Sequence, residues 1–403
     1  MQKDKSKLKI IYSKIFFVLI IFFGLFGLAK SSLAATYYID YSGGLDTNNG
    51  TSTSTPFKHC PGDSAAVSNA ASTTFVAGDK IIFKGGVTYT TPSGSQINLS
   101  WGGSGDTDAN RIIYDGDSGT YAARWGSGTS KAIIDGNHAA AAIFLANSNK
   151  SYVTINNFEL RSIRSDYESN IIDADQITSA NYFKITNNTI HDAGSGADIN
   201  TAIGRCISSS SSHWLIEGNS FYDCYHAGIY LNNGPSNTTV MNNTFGDKTS
   251  WGLALAEGGN DDLDGNTIYN NTFYNIGSYY DQGSPHCNDI IIWVQGDNGE
   301  SASGSLTNTS IYNNYFYESS PTTGTGVITL QINTTDQQSS TENATNFYVY
   351  NNITANEGRN AFCNLSASQG NINNIYIYIQ QFRLDNRHSR KLNRRTVYQF
   401  KHQ

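Results

Sequence analysis

Cations are scarce in the body of this 403-residue chain. Of its 26 Lys and Arg, six precede residue 36 and seven follow residue 378, which leaves 13 against 31 Asp and Glu and a net charge of −18. So acidic a body does not bind nucleic acid or anionic membrane by bulk charge, and it repels acidic polysaccharide unless a cation bridges the two. Cysteine is sparse as well. Cys60, Cys206, Cys224, Cys287 and Cys363 lack metal-site spacing, and an odd count leaves one unpaired in a secreted protein. Buried thiols acting as small apolar side chains are the expectation. No apolar run suffices for a membrane span: Ile15 to Ala29 is fifteen residues, short of the roughly 20 required. Placed between a basic stretch, Met1 to Lys14, and the small residues around Ser32-Leu33-Ala34, it reads as a secretory signal over 1–34, with an uncleaved N-terminal anchor as the rival. The expected location is secreted or cell-surface, with membrane contact only through that segment.

Helical periodicity is missing too. Apolar residues run at period two, β-branched and aromatic residues dominate, and Asn, Gly and Ser punctuate every segment. What is present is a repeat. Ile268-Tyr269-Asn270-Asn271-Thr272-Phe273 returns as Ile185 to Ile190, Ile216 to Phe221, Val240 to Phe245, Ile311 to Phe316 and Val349 to Asn352, with a degenerate copy at Ile155-Asn156-Asn157-Phe158. The second asparagine, or its equivalent, recurs at steps of 31, 24, 28, 43 and 38 residues. Such periods announce a solenoid, because each copy is too short to bury its own apolar side and must stack on its neighbours. A second strand family alternates with the markers, among them Asn170 to Asp173, Gly204 to Ile207, Gly228 to Leu231, Gly252 to Leu255 and Ile290 to Trp293. Two alternating families imply at least two parallel ladders. Asparagine suits the corner between them, since it tolerates left-handed backbone angles and its amide bonds to copies above and below.

This pattern resembles the right-handed parallel β-helix of the pectate-lyase-like superfamily, over most of the chain after residue 36. The resemblance implies an all-β solenoid with an N-terminal cap. Tyr37-Tyr38-Ile39-Asp40 and Gly78 to Phe83 look like that cap, so 35–140 is assigned to cap and first coils, 141–378 to β-helix repeats and 379–403 to an off-pattern basic tail. No second domain is visible; Ser278 to Asn288 and Gly296 to Asn308 read as loops inserted at coil corners, where binding usually sits. At the far end an Asn-Asn copy is due after Tyr378, but Ile379-Gln380-Gln381 stands there. The expectation is a lost reading frame: encoded ATT CAA CAA T, these residues read one base later give Phe-Asn-Asn. A stop codon within a few codons of the alternative frame, or no further repeats in it, excludes this in favour of a genuine basic cap.

Chemistry is sought on outward strand positions. Placing Ile172 and Ala174 inside turns Ile171, Asp173 and Asp175 outward, the two carboxylates about 7 Å apart with rungs about 4.8 Å apart. Arg205, His226 and Tyr230 come on the next rungs, so all five fall on one patch. Between residues 151 and 378 the only Lys and Arg are Arg161, Arg164, Lys184, Arg205, Lys248 and Arg359. A lyase must draw its base from these or from a histidine, and Arg205, Lys248 and His226 are the catalytic candidates. His191, His213 and His286 read as surface or corner residues. Asp173, Asp175, Tyr230 and Trp293 are the candidates for holding substrate, with Tyr279, Tyr280, Trp214 and Trp251 as further aromatics. Asp261, Asp262 and Asp264 are a close run of oxygen ligands suited to calcium. The chain lacks the charged motifs of pectate lyases and the Asn-Thr-Asp, Asp-Asp and Gly-His-Gly series of polygalacturonases, so the resemblance carries no catalytic residue across. The expected function is a calcium-assisted lyase acting as a monomer on an acidic polysaccharide. The alternatives are a glycoside hydrolase with paired carboxylates and a non-catalytic, glycan-binding or adhesive β-helix.

Overall fold

The computed structural model describes residues 33–91, 96–126, 130–165, 169–194, 204–256, 262–277, 287–294, 304–317, 327–332, 343–355, 363–367, 371–381 and 394–400, the last of these by backbone alone. The chain divides into Met1–Ala34 and Ala35–Gln403. The expected signal segment lies outside the described residues save its last two, and every strand of the fold belongs to the second unit.

Three parallel ladders run the length of that unit. The first stacks Val153–Asn156, Lys184–Thr186, Leu215–Glu217, Thr239–Met241, Thr267–Tyr269 and Ser310–Tyr312. The second stacks Phe158–Ile163, Thr189–Ala193, Ser220–Cys224, Thr244–Phe245, Thr272–Tyr274 and Tyr315–Tyr317. These two belong to one 22-stranded sheet bent at the asparagine corner, and the third ladder is a separate nine-stranded sheet. The third contains Asn170–Ala174, Arg205–Ser209, Ala227–Leu231, Trp251–Ala256, Asn288–Val294 and Ile328–Ile332. The ladders number three because the Thr-Phe that closes each marker is itself a strand on the far side of the corner. Toward the N-terminus, Thr36–Ile39 and Lys80–Phe83 begin the first ladder, with one short helix, Ser68–Ser72, in the connection between them.

The paired asparagines divide the work of the corner. The first takes a left-handed backbone, with φ of 57° at Asn187, 57° at Asn242, 55° at Asn270 and 55° at Asn313, and glycine replaces it at Gly218 (67°). The second turns inward and joins a buried column of Asn188, Asn219, Asn243, Asn271, Asn314 and Asn352. Asn219 sends both its backbone N–H (2.9 Å) and its Nδ2 (3.0 Å) to Asn243 Oδ1, while Nδ2 also reaches Ile185 O at 2.8 Å. The same contacts recur from Asn243 to Asn271 and onward. The degenerate copy is offset by one residue: Ile155 pairs with Ile185, so Asn157 occupies the left-handed place at φ 61° and Phe158 stands where the column would continue.

Just past the corner, Phe221, Phe245, Phe273 and Phe316 stack through the core at 4.6–4.9 Å. Each buried ring contributes roughly 2–3 kcal/mol of apolar transfer. The Cys206–Cys224 disulfide joins the third ladder to the second, Cα to Cα 5.5 Å, which corrects the expectation of thiols throughout; Cys60, Cys287 and Cys363 are free. At the C-terminal end Asn371–Gln381 pairs with Asn343–Ala355 in register through Val349 opposite Ile377, then shifts, so that Asn352 faces Ile379. The slip falls where the next asparagine pair is due. Arg394–Phe400 then pairs antiparallel on that strand.

Candidate functional site

The third ladder brings together the residues that spacing placed on neighbouring rungs. Asp173 stands opposite Ser208, and Ser208 opposite Tyr230. Arg205, only 5% exposed, lies at the centre. Its guanidinium covers the Tyr230 ring at 4.1 Å, its Nη1 is 3.7 Å from Asp175 Oδ2 and 3.5 Å from Ser208 Oγ, and its Nε donates to His226 Nδ1 at 3.3 Å. Ser208 Oγ in turn donates to Asp175 Oδ1 at 3.0 Å, and the Asp175 N–H donates to Asp173 Oδ1 at 3.0 Å. An arginine so covered is held by opposite charge and by the face of an aromatic ring together.

Aromatic rings continue the patch toward the C-terminus. His226 packs on Trp251 at 4.3 Å, Tyr230 lies 6.3 Å from Trp251, and Trp251 meets Trp293 edge-on at 4.7 Å. Trp293 Nε1 donates to Gln331 Oε1 at 2.6 Å. Tyr230, Trp251 and Trp293 are half-buried, each presenting part of its ring to solvent. Trp251 is therefore a member of the patch and more than a cover for the coil.

The surroundings set the proton chemistry. Burial, and then the charge of Arg205, push the His226 pKa down to about 3. Because Nδ1 accepts from Arg205, the ring carries its proton on Nε2. His226 is thus a neutral hydrogen-bond donor and a poor base. Asp173 shifts the other way: burial, ahead of the hydrogen bonds from Asp175 and Asn170 that oppose it, raises its pKa above the ordinary aspartate value. Two neighbouring carboxyls are therefore differentiated, one holding its proton more tightly and one set beside a guanidinium.

One expectation fails on the same strand. Ile171 is fully buried in the core. Positions 171, 206, 228 and 252 lie in register at the start of the third ladder, where the chain has just turned and these positions also face inward. Cys206 reaches across the interior to Cys224, and a Cβ on Gly228 or Gly252 would come within 2.8 or 2.6 Å of the Phe245 or Phe273 ring.

Lys248 sits on the second-ladder side of the same corner. Its Nζ is 3.7 Å from Asp223 Oδ1, its side chain is 49% exposed, and its backbone is left-handed at φ 46°. Beside it runs a charged network that spacing along the chain did not single out. Arg161 Nε meets Asp135 at 2.9 Å and its Nη1 meets Glu159 at 2.6 Å; His191 Nε2 is 3.6 Å from Glu159, and Nδ1 is 2.8 Å from Asp192. His191 stacks on Tyr222 at 4.4 Å, whose hydroxyl is pushed up to about 12 by burial and by the nearby acids. A signal existed: His191, Tyr222, Tyr274 and Tyr317 each fall three residues after a marker, an outward position on the second ladder.

The calcium candidates are engaged with the next coil. Asp262 Oδ1 accepts from Ser305 N and Oγ at 2.9 and 2.7 Å, and Asp264 Oδ1 accepts from Thr307 Oγ1 and from Asn308 Nδ2. Asp261, Tyr279, Tyr280 and His286 lie outside the described residues. Among the described residues no three His, Cys, Asp or Glu gather as metal ligands. Trp214 is fully buried and donates to Ala180 O at 2.8 Å, so it serves the core.

Coils of three parallel ladders around one apolar core, with a charged and aromatic patch on one flank, define a β-helix protein. Residues 107–316 match the family described as right handed beta helix region, and the chain belongs to that family. No curated protein sequence matches it. Among solved structures it is similar to a GH136 lacto-N-biosidase from Eubacterium ramulus at 12% identity and TM-score 0.48, covering 84% of this chain and 68% of that one. It is similar to an alginate lyase from Paenibacillus sp. str. FPU-7 at 14% and 0.46, covering 73% and 93%. An endo-xylogalacturonan hydrolase from Aspergillus tubingensis stands at 11% and 0.47, covering 73% and 85%.

Proposed function

We propose that this protein acts on a polysaccharide held against Tyr230, Trp251 and Trp293, and that Asp173 delivers the proton when a glycosidic bond is cleaved. One observation carries this reading: the Arg205 cluster removes the bases an elimination would need on this flank and leaves beside it a carboxyl, Asp173, whose pKa burial raises. Arg205 is committed to Asp175 and His226, and His226 is held neutral with Nδ1 occupied. A hydrolase needs a carboxyl with a raised pKa beside a second carboxylate, and Asp173 with Asp175 meets that need. The aromatic rings supply apolar faces for pyranose rings. The His226 Nε2–H and the Asp175 carboxylate orient sugar hydroxyls.

A second reading rests on Lys248. Its exposure and left-handed backbone favour it as the base of a calcium-assisted elimination on a uronate at the neighbouring flank. Secretion belongs to the proposal as well, because the Cys206–Cys224 disulfide is the chemistry of an oxidising compartment.

The test is incubation of the full chain with neutral, acidic and amino-substituted glycans, with and without calcium. Reducing ends that appear without ultraviolet absorbance indicate hydrolysis; Asp173→Asn then lowers the rate at least about 100-fold. Absorbance from unsaturated ends that vanishes in Lys248→Ala establishes elimination and removes the first reading. Binding without either product leaves a non-catalytic glycan-binding protein.

A further inference from the structure

We propose that the glycan held on the third ladder is a cationic one, a polymer of amino sugars carrying free ammonium groups. This inference rests on the reading that the flank holds a polysaccharide, and it names the class.

The one cation available there is already taken. Among the described residues of the third-ladder strands, Arg205 is the sole Lys or Arg. It is covered on one side by Tyr230 and His226 and paired on the other with Asp175 and Ser208. A carboxylate ligand would have to displace Asp175 to reach it, trading one ion pair for another and leaving the half-buried Asp175 against like charge. Asp173, half-buried on the face, gives an anionic sugar nothing to pair with and gives an ammonium a partner.

Longer-range charge has the same sign. Across the corner, Arg161 is shared by Asp135 and Glu159, and Lys248 lies beside Asp223 with Asp192 and Asp247 as further acids. Like charges gathered on a low-dielectric wall raise the local concentration of an oppositely charged polymer and exclude one of the same sign, within a Debye length of about 8 Å at physiological salt. The rings of Trp251 and Trp293 add the aromatic face that favours an ammonium over a hydroxyl.

The experiment compares chitosan oligosaccharides with their fully N-acetylated counterparts, which share the backbone and lack the charge. Alginate with and without calcium, xylan and polylysine complete the panel, and binding to the full chain is read by calorimetry. The expectation is binding at least about tenfold tighter for the de-acetylated oligosaccharide, weakening as salt rises. Trp293→Phe retains most of that affinity, and Trp293→Ala loses about tenfold with an unchanged melting temperature. Asp173→Asn weakens chitosan and leaves the acetylated oligomer unaffected. Equal binding of acetylated and de-acetylated oligomers overturns the inference, as does tighter binding of alginate in either calcium condition. It is likewise overturned if polylysine competes as well as chitosan, or if Trp293→Ala changes nothing, since bulk charge would then explain the binding. If no glycan in the panel binds, the underlying polysaccharide reading falls with it; binding of neutral or acidic glycans alone sinks only the charge assignment.

Discussion

The asparagine corner and the outer column of the third ladder pass through the same coils with the same rise, yet they are built on opposite rules. At the corner the side chain repeats from Asn188 through Asn352, every amide is buried, and each bonds to its equivalent above. On the third ladder the positions in register are Asp173, Ser208, Tyr230, Ala254, Ile291 and Thr329, with a new chemistry at nearly every rung. A solenoid holds itself up by what recurs, since each repeat sees only its neighbours. On this column Ser208, Ala254, Ile291 and Thr329 are fully buried and Asp173 and Tyr230 half-buried, and a side chain that departs from the repeat does not carry that duty. The Arg205 patch is such a departure.

Substitution should perturb the corner most. Asn243→Ala removes acceptors from Asn219 and a donor from Ile216 O inside the core. At about 1–3 kcal/mol for each orphaned group, the expected loss is on the order of 3–5 kcal/mol, read from the denaturant midpoint. A loss below about 1 kcal/mol would show that the column is ornament. Next is the disulfide: Cys206 and Cys224 are 18 residues apart, and reduction should cost about 3 kcal/mol by loop entropy, measured by melting with and without reductant.

The patch responds through pH. His226 is depressed from 6.5 to about 3 in the folded chain by burial and Arg205. The unfolded chain therefore binds a proton first, so the stability contributed is complete above pH 6.5 and is lost as pH falls toward 3. A fall of about 1–2 kcal/mol between pH 7.5 and 4.5 is expected, flattened in His226→Gln; an unchanged slope in that variant contradicts the assignment. The smallest effect has the opposite sign. The raised pKa of Asp173 means its ionised form costs stability above that pKa. Asp173→Asn should therefore gain a few tenths of a kcal/mol near neutral pH while removing hydrolysis, so a variant both less stable and fully active would invert the division between corner and patch.

Much of the frame was legible in the linear chain, and particular residues show where legibility stopped. Ile-x-Asn-Asn-Thr-Phe announced the corner, and counting rungs placed Asp173, Asp175, Arg205, His226 and Tyr230 on one flank from spacing alone. Strict alternation misplaced Ile171, because period two holds only along a straight strand and this position sits where the backbone has just turned. Trp251 was ambiguous, since an aromatic residue at a strand start packs inward or outward according to the rings beside it. The Cys206–Cys224 pair was invisible, because a separation of 18 residues becomes contact only when the coil closes. The Asp135–Arg161–Glu159–His191–Asp192 network spans successive coils and one strand face, and it has no compact motif to find.

By itself the sequence determined the winding: repeated β-branched and aromatic residues ending in paired asparagines have no other way to satisfy their amides and bury their apolar side. Only the tertiary structure decided which groups titrate and which are already taken. The guanidinium of Arg205 is within reach of Asp175 and His226 because three separate coils stack, and a pKa depends on those neighbours and their distance from water, neither of which is a property of the linear chain.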